Sequence, residues 1–145
     1  MSARTVDRRT FTGLLAGGLL SACLSGCATL AATTVRRQGG QVRIRLQDHP
    51  ELTGASGSLR VRVDDTDELF YILRQPDGSF LALSPICTHQ GCTVQIAKPY
   101  LECPCHGSVY DLRGEVVRGP AELPLRSVPV RLLADVLVIQ TEGAT

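Results

Sequence analysis

The sequence predicts an all-β domain of short strands, with metal-binding loops inserted between them. Three observations carry that prediction. Val42, Ile44 and Leu46 alternate with Arg43, Arg45 and Gln47, and Leu59, Val61 and Val63 alternate with Arg60 and Arg62; a period of two sets one apolar face against a core. Gln75-Pro76-Asp77-Gly78 separates two apolar runs with residues that a tight turn selects. No segment sustains a helical period.

Composition narrows the class. The 145 residues give room for one domain. The formal net charge is +1, with no basic stripe interleaved with aromatics, which argues against nucleic acid as a partner. Trp is absent and aromatics make up 4%, so the core must come from Val, Leu and Ile. Six cysteines are many for an ordinary cytosolic domain and call for a metal or an oxidising compartment.

The chain opens with Val6-Asp7-Arg8-Arg9-Thr10-Phe11-Thr12, followed by an uncharged stretch to Val35. Arg8 and Arg9 before Phe11 resemble a twin-arginine (Tat) export signal, the route for proteins that fold before they cross. Leu20-Ser21-Ala22-Cys23 and Leu24-Ser25-Gly26-Cys27 both look like lipoprotein cleavage boxes. Cys27 is favoured as the lipidated residue over Cys23 because it leaves the longer apolar region ahead of it; the alternative is an uncleaved signal anchor. Either way the expectation is a protein tethered to a membrane on its periplasmic or extracellular face. Removing residues 1–26 takes away Arg4, Arg8, Arg9 and Asp7, leaving 12 basic against 13 acidic residues and a net charge of −1.

Residues 27–40 then read as a flexible tether ending in Gly39-Gly40, with a reach of about 40 Å if extended. Arg36 and Arg37 within it read as a solvated pair, or as contacts to anionic headgroups. The domain occupies 41–142. Its strands are expected around Val42–Leu46, Leu59–Val63, Leu69–Leu73 and Phe80–Leu83. After the metal loops come Glu115–Val117, Val128–Leu133 and Val136–Gln140.

Between the fourth and fifth of these lie C-T-H-Q-G-C (87–92) and C-P-C-H-G-S-V-Y (103–110). Each cluster sets a thiol beside an imidazole. A zinc finger also uses two Cys and two His, but it groups like with like on separate elements. Mixed pairs suit a binuclear centre whose two irons take different ligands. The pattern resembles the Rieske 2Fe-2S proteins of the high-potential, disulfide-containing kind. The class that competes is a structural zinc-binding module.

The resemblance implies an antiparallel sandwich with an inserted cluster-binding subdomain, holding one Rieske 2Fe-2S cluster. It implies that Cys87 and Cys103 bind the inner iron and His89 and His106 the outer one, at a potential of about −150 to +300 mV. Cys92 and Cys105 are implied to form a disulfide joining the two loops. Ser108 and Tyr110 are implied to donate hydrogen bonds that raise the potential. Gly91 and Gly107 are expected to let the backbone approach the cluster where a Cβ would collide. Gly119-Pro120-Ala121 resembles a third loop that covers the cluster, with Glu122 where the family commonly has Pro.

The function implied is proton-coupled one-electron transfer, by an electron carrier rather than an enzyme. Its partner would be a c-type cytochrome or an oxidoreductase subunit, as in the iron–sulfur subunit of a larger oxidoreductase. A Rieske subunit of a quinol–cytochrome c reductase complex is the alternative. Gln90 stands where quinol-oxidising members commonly carry Leu, which favours a partner other than quinol.

Overall fold

The computed structural model describes residues 31–66 and 68–141. The export signal at Arg8 and Arg9 and the lipidation candidates Cys23 and Cys27 lie outside the described residues. The chain begins with β1 (Thr33–Val35), β2 (Arg37–Gln38) and β3 (Gln41–Arg45), then two 3-10 turns at Leu46–Asp48 and Pro50–Leu52. Next come β4 (Ser58–Val63), β5 (Leu69–Arg74) and β6 (Phe80–Leu83). Four short strands follow: β7 (Gln95–Ala97), β8 (Tyr100–Glu102), β9 (Val109–Tyr110) and β10 (Val116–Arg118). The chain closes with β11 (Ser127–Val128), β12 (Val130–Leu133) and β13 (Val136–Gln140).

These strands form three sheets, ordered β1-β4-β5-β6-β11, β12-β13-β3-β2 and β10-β9-β8-β7. The third is an insertion, because it leaves the first sheet after β6 and the chain rejoins beside β6 as β11, with Ser127 opposite Leu83. The all-β expectation and the inserted subdomain both hold.

The first sheet is the middle layer, and the sequence of β5 says why. Phe70 and Ile72 point into one apolar core together with Val42, Ile44, Leu137 and Ile139 of the second sheet. Tyr71 and Leu73 point the other way, into a second core with Leu83, Val94, Leu101 and Tyr110. A strand buried on both faces carries a continuous apolar run, and F-Y-I-L is that run. At about 1.5–3 kcal/mol for each large side chain buried, both cores are substantial.

The sequence expectation fails in two places. Residues 33–38 are not tether. Thr33, Thr34 and Val35 are three β-branched residues in a row, and they pair parallel to Val61–Val63. Arg36 and Arg37 are held by Asp64 (3.3 Å) and Asp65 (2.8 Å) instead of being merely solvated. Gly39-Gly40, read as the end of a linker, has φ of +57° and +72° between the antiparallel β2 and β3. Positive φ at both positions is what a two-residue hairpin turn needs.

The run Val128–Leu133 is likewise two strands. Pro129 has no N–H to give a ladder, and there the chain passes from the first sheet to the second.

Candidate metal centre

The two Cys/His clusters fold into loops of the same design. In the first, the Gly91 N–H donates to the Cys87 carbonyl (2.9 Å) and the Cys87 N–H to the Cys92 carbonyl (2.8 Å). In the second, the Gly107 N–H donates to the Cys103 carbonyl (3.0 Å) and the Cys103 N–H to the Ser108 carbonyl (2.8 Å). Gly91 and Gly107 sit at φ of +74° and +72°, yet a Cβ on either meets no protein atom within 4 Å. Backbone conformation, rather than crowding by the protein, requires glycine at both.

The loops sort their donors by depth. Cys87 and Cys103 are 2% and 3% exposed, whereas His89 and His106 are exposed. The two rings meet edge to face, 5.1 Å between centroids. Cys92 and Cys105 form a disulfide with Cα atoms 6.5 Å apart, tying loop to loop. The sulfurs of Cys92, Cys103 and Cys105 lie within 4.8 Å of one another. Because two of them are bonded together, Cys103 brings the only free thiol of that group. The bridge closes a loop of 13 residues, so a Cys92→Ser/Cys105→Ser double variant is expected to lose about 3 kcal/mol in denaturant unfolding.

Hydrogen bonds surround the thiols. The Tyr110 hydroxyl lies 3.3 Å from Cys87 Sγ. Burial pushes the Cys87 thiol up, but bonds from Tyr110, the His89 backbone, Cys103 and the Gln90 backbone outweigh it and hold the group below the usual cysteine value. Burial, and then the contact with Cys87, pushes the Tyr110 hydroxyl up, so it keeps its proton to donate. Ser108 is fully buried, and its Oγ accepts from the Ala121 N–H (3.2 Å), which leaves its own hydrogen to give.

Thr88, which the motif reading passed over, joins the first and third loops. Its Oγ1 donates to the Leu123 carbonyl (2.6 Å), so toward Tyr110 (3.1 Å) it acts as acceptor. The single Tyr110 hydrogen is therefore divided between Thr88 Oγ1 and Cys87 Sγ. The Thr88 backbone N–H also donates to the Tyr110 hydroxyl, at 3.2 Å. The only sequence signal for this role is a hydroxyl placed between Cys and His. The third loop lies against the second through Ala121 and against the first through Leu123, while Pro120 and Glu122 are exposed. On the base side, the Tyr71 hydroxyl donates to the Val94 carbonyl (2.6 Å) and fixes the first loop to the middle sheet.

Two buried thiols outside any disulfide, two exposed imidazoles and buried hydroxyls able to donate to sulfur fit a binuclear iron–sulfur group with mixed ligands.

Comparison with known proteins agrees. The family model "Rieske [2Fe-2S] domain" matches residues 39–129, more than half of the chain. A cytochrome b6-f complex iron-sulfur subunit 2 of Trichormus variabilis is 29% identical over 94% of this chain and 86% of its own length. The cytochrome b6-f complex iron-sulfur subunit of Chlorobaculum thiosulfatiphilum is 42% identical over 43% of this chain, and the match spans 35% of that relative. Among solved structures, the plasma membrane Rieske protein PetC3 from Synechocystis PCC 6803 aligns with a TM-score of 0.51 at 27% identity, over 57% of this chain and 85% of its own. Paired loops, buried thiols, exposed imidazoles and a family match that spans all of them together make this chain a member of the Rieske [2Fe-2S] domain family.

Proposed function

We propose that Cys87 and Cys103 hold the inner iron and His89 and His106 the outer iron of one 2Fe-2S cluster, and that the histidine end passes single electrons to a partner protein. The observation that carries this reading is the split in depth, with thiols buried and imidazoles exposed. When bound, the cluster supplies a one-electron couple at a potential raised by its neutral imidazole ligands. The chain's own residues do the rest. Cys87 and Cys103, backed by Tyr71, Leu101 and Tyr110, keep water from the sulfur side. Each exposed imidazole keeps one ring nitrogen for a proton or for a partner.

The partner in this reading is a c-type cytochrome or an oxidoreductase subunit, met by a protein exported and held at a membrane through its N-terminal segment. Gln90 is exposed directly after the ligand position His89, and a polar side chain there suits a wet protein contact. A second reading, the Rieske subunit of a quinol–cytochrome c reductase complex, draws support from the relatives named as cytochrome b6-f subunits.

Electron paramagnetic resonance of the dithionite-reduced protein tests the cluster. A signal with low average g is expected, and a silent protein with bound zinc would sink the proposal. Tyr110→Phe removes the hydroxyl beside Cys87, and the potential is expected to fall by about 50 mV in a redox titration.

A further inference from the structure

The outer face of the second sheet carries a pattern that the metal centre does not use. Its strand register sets Arg43, Val138 and Arg131 in one row and Arg45, Val136 and Leu133 in the next. The three arginines are exposed, and Leu133 is 60% exposed. Among the described residues no acidic side chain pairs with Arg43, Arg45 or Arg131, although Arg36, Arg37 and Arg126 are each matched to Asp64, Asp65 and Glu68. The third outward row consists of Gln38, Gln41 and Gln140. Asp135 lies in the turn at one end, and Asp48 lines one concavity with Gln38, Arg43, Arg45 and Val136. The face is thus cationic on balance, three arginines against Asp48 at its edge, with apolar side chains between them.

We propose that this face docks on anionic lipid headgroups and turns the cluster-binding subdomain away from the membrane. The inference rests on the membrane-tethered reading above. Charge complementarity selects the occupant, and so does the course of the chain. Thirty residues precede Ala31, and positions 10–35 are uncharged. Because β1 starts at Thr33, a chain anchored at Cys27 is separated from it by only five residues, a span of at most about 20 Å. That connection enters the domain at β1, the edge strand of the middle sheet, and the chain passes directly from there into β2, the edge strand of the arginine sheet.

The strength is suited to a tethered domain. Each arginine close to an anionic surface raises partition about fivefold, so three raise it roughly 100-fold. That seats a domain already held nearby and does not recruit a free one. The layers then set the orientation. The middle sheet separates the arginine face from the cluster subdomain, at about 10 Å for each sheet-to-sheet step. The histidine loops belong to the layer farthest from the lipid and are offered to a soluble partner.

Arginine footprinting of the full-length protein tests this, with phenylglyoxal as reagent, mass spectrometry as readout, and vesicles of phosphatidylglycerol or of phosphatidylcholine alone. Arg43, Arg45 and Arg131 are expected to be protected several-fold on phosphatidylglycerol and not on phosphatidylcholine, with protection lost in 1 M salt. Arg113 and Arg118, exposed in the cluster subdomain, serve as controls and stay equally reactive. Equal modification on both vesicles while the protein floats with both overturns the docking and leaves the tether standing. Failure to float with either overturns both. Protection that appears only when a redox protein is added assigns the face to that protein and overturns the lipid. The resonance signal, recorded on the same samples, reports the cluster separately.

Discussion

Cys103→Ser is expected to give a folded protein without iron, whereas Cys105→Ser is expected to keep its iron and lose stability. The contrast is informative because the sulfurs of Cys92, Cys103 and Cys105 crowd within 4.8 Å, so proximity alone does not separate ligand from bridge. Cys103 is 3% exposed in the core shared by Tyr71, Leu101 and Tyr110. Serine there offers a hydroxyl, a poor ligand for iron, in a site shaped for a thiolate. The sandwich core of Val42, Ile44, Phe70, Ile72 and Leu137 includes none of these residues. Far-ultraviolet circular dichroism should therefore be retained while the visible absorbance and the iron content fall to zero. Thermal unfolding should start earlier, since a metal bound only by the native state stabilises it. Full iron in Cys103→Ser, with loss in Cys105→Ser, would reverse the assignment of ligand and bridge.

The features legible in the sequence are those written in side chains with one strong preference. Alternation at Val42–Ile44 and Leu59–Val63 marked the sandwich, and the Pro76-Asp77-Gly78 turn appears as Asp77 Oδ1 accepting from the Ser79 N–H (2.9 Å). The metal loops were legible because Cys and His at fixed spacing serve few other purposes. β7, β8 and β9 were not, being two or three residues long and too short to show a period. Residues 33–38 were hidden for a different reason. Thr33–Val35 pair with Val61–Val63, and Arg36 and Arg37 with Asp64 and Asp65, nearly thirty residues away, while the local pairing of Arg37-Gln38 with β3 turns on a Gly39-Gly40 pair that a linker carries equally well. Thr88 was hidden because its role is defined by Leu123 and Tyr110, which come near only when the third loop folds back.

That third loop has the narrowest tolerance in the centre, and Gly119→Ala is the substitution that reaches it. Gly119 holds φ of +108°, and a Cβ there would stand 2.5 Å from the Ser108 Cα and 3.0 Å from both the Gly107 carbonyl oxygen and the Ser108 nitrogen. All three are backbone atoms of the second ligand loop, so no side chain can swing aside. Strain from φ and displacement of the loop together are expected to cost about 2–4 kcal/mol. Gly91→Ala separates the two causes: φ there is +74° and its Cβ meets no protein atom within 4 Å, so only the conformational part, about 1–2 kcal/mol, should appear in the apoprotein. The functional consequence follows from what the loop holds. Moving residue 119 off Ser108 breaks the Ala121 N–H bond to Ser108 Oγ and pulls on Leu123, whose carbonyl fixes Thr88. Released from Leu123, the Thr88 hydroxyl is free to donate to Tyr110, so the Tyr110 hydrogen goes wholly to Cys87. Water, however, gains the cluster from the side that the loop had closed. The second effect should dominate, and the expected result is faster bleaching of the visible absorbance in air for Gly119→Ala than for Gly91→Ala. Equal bleaching in the two variants would mean that the third loop does not shield the centre.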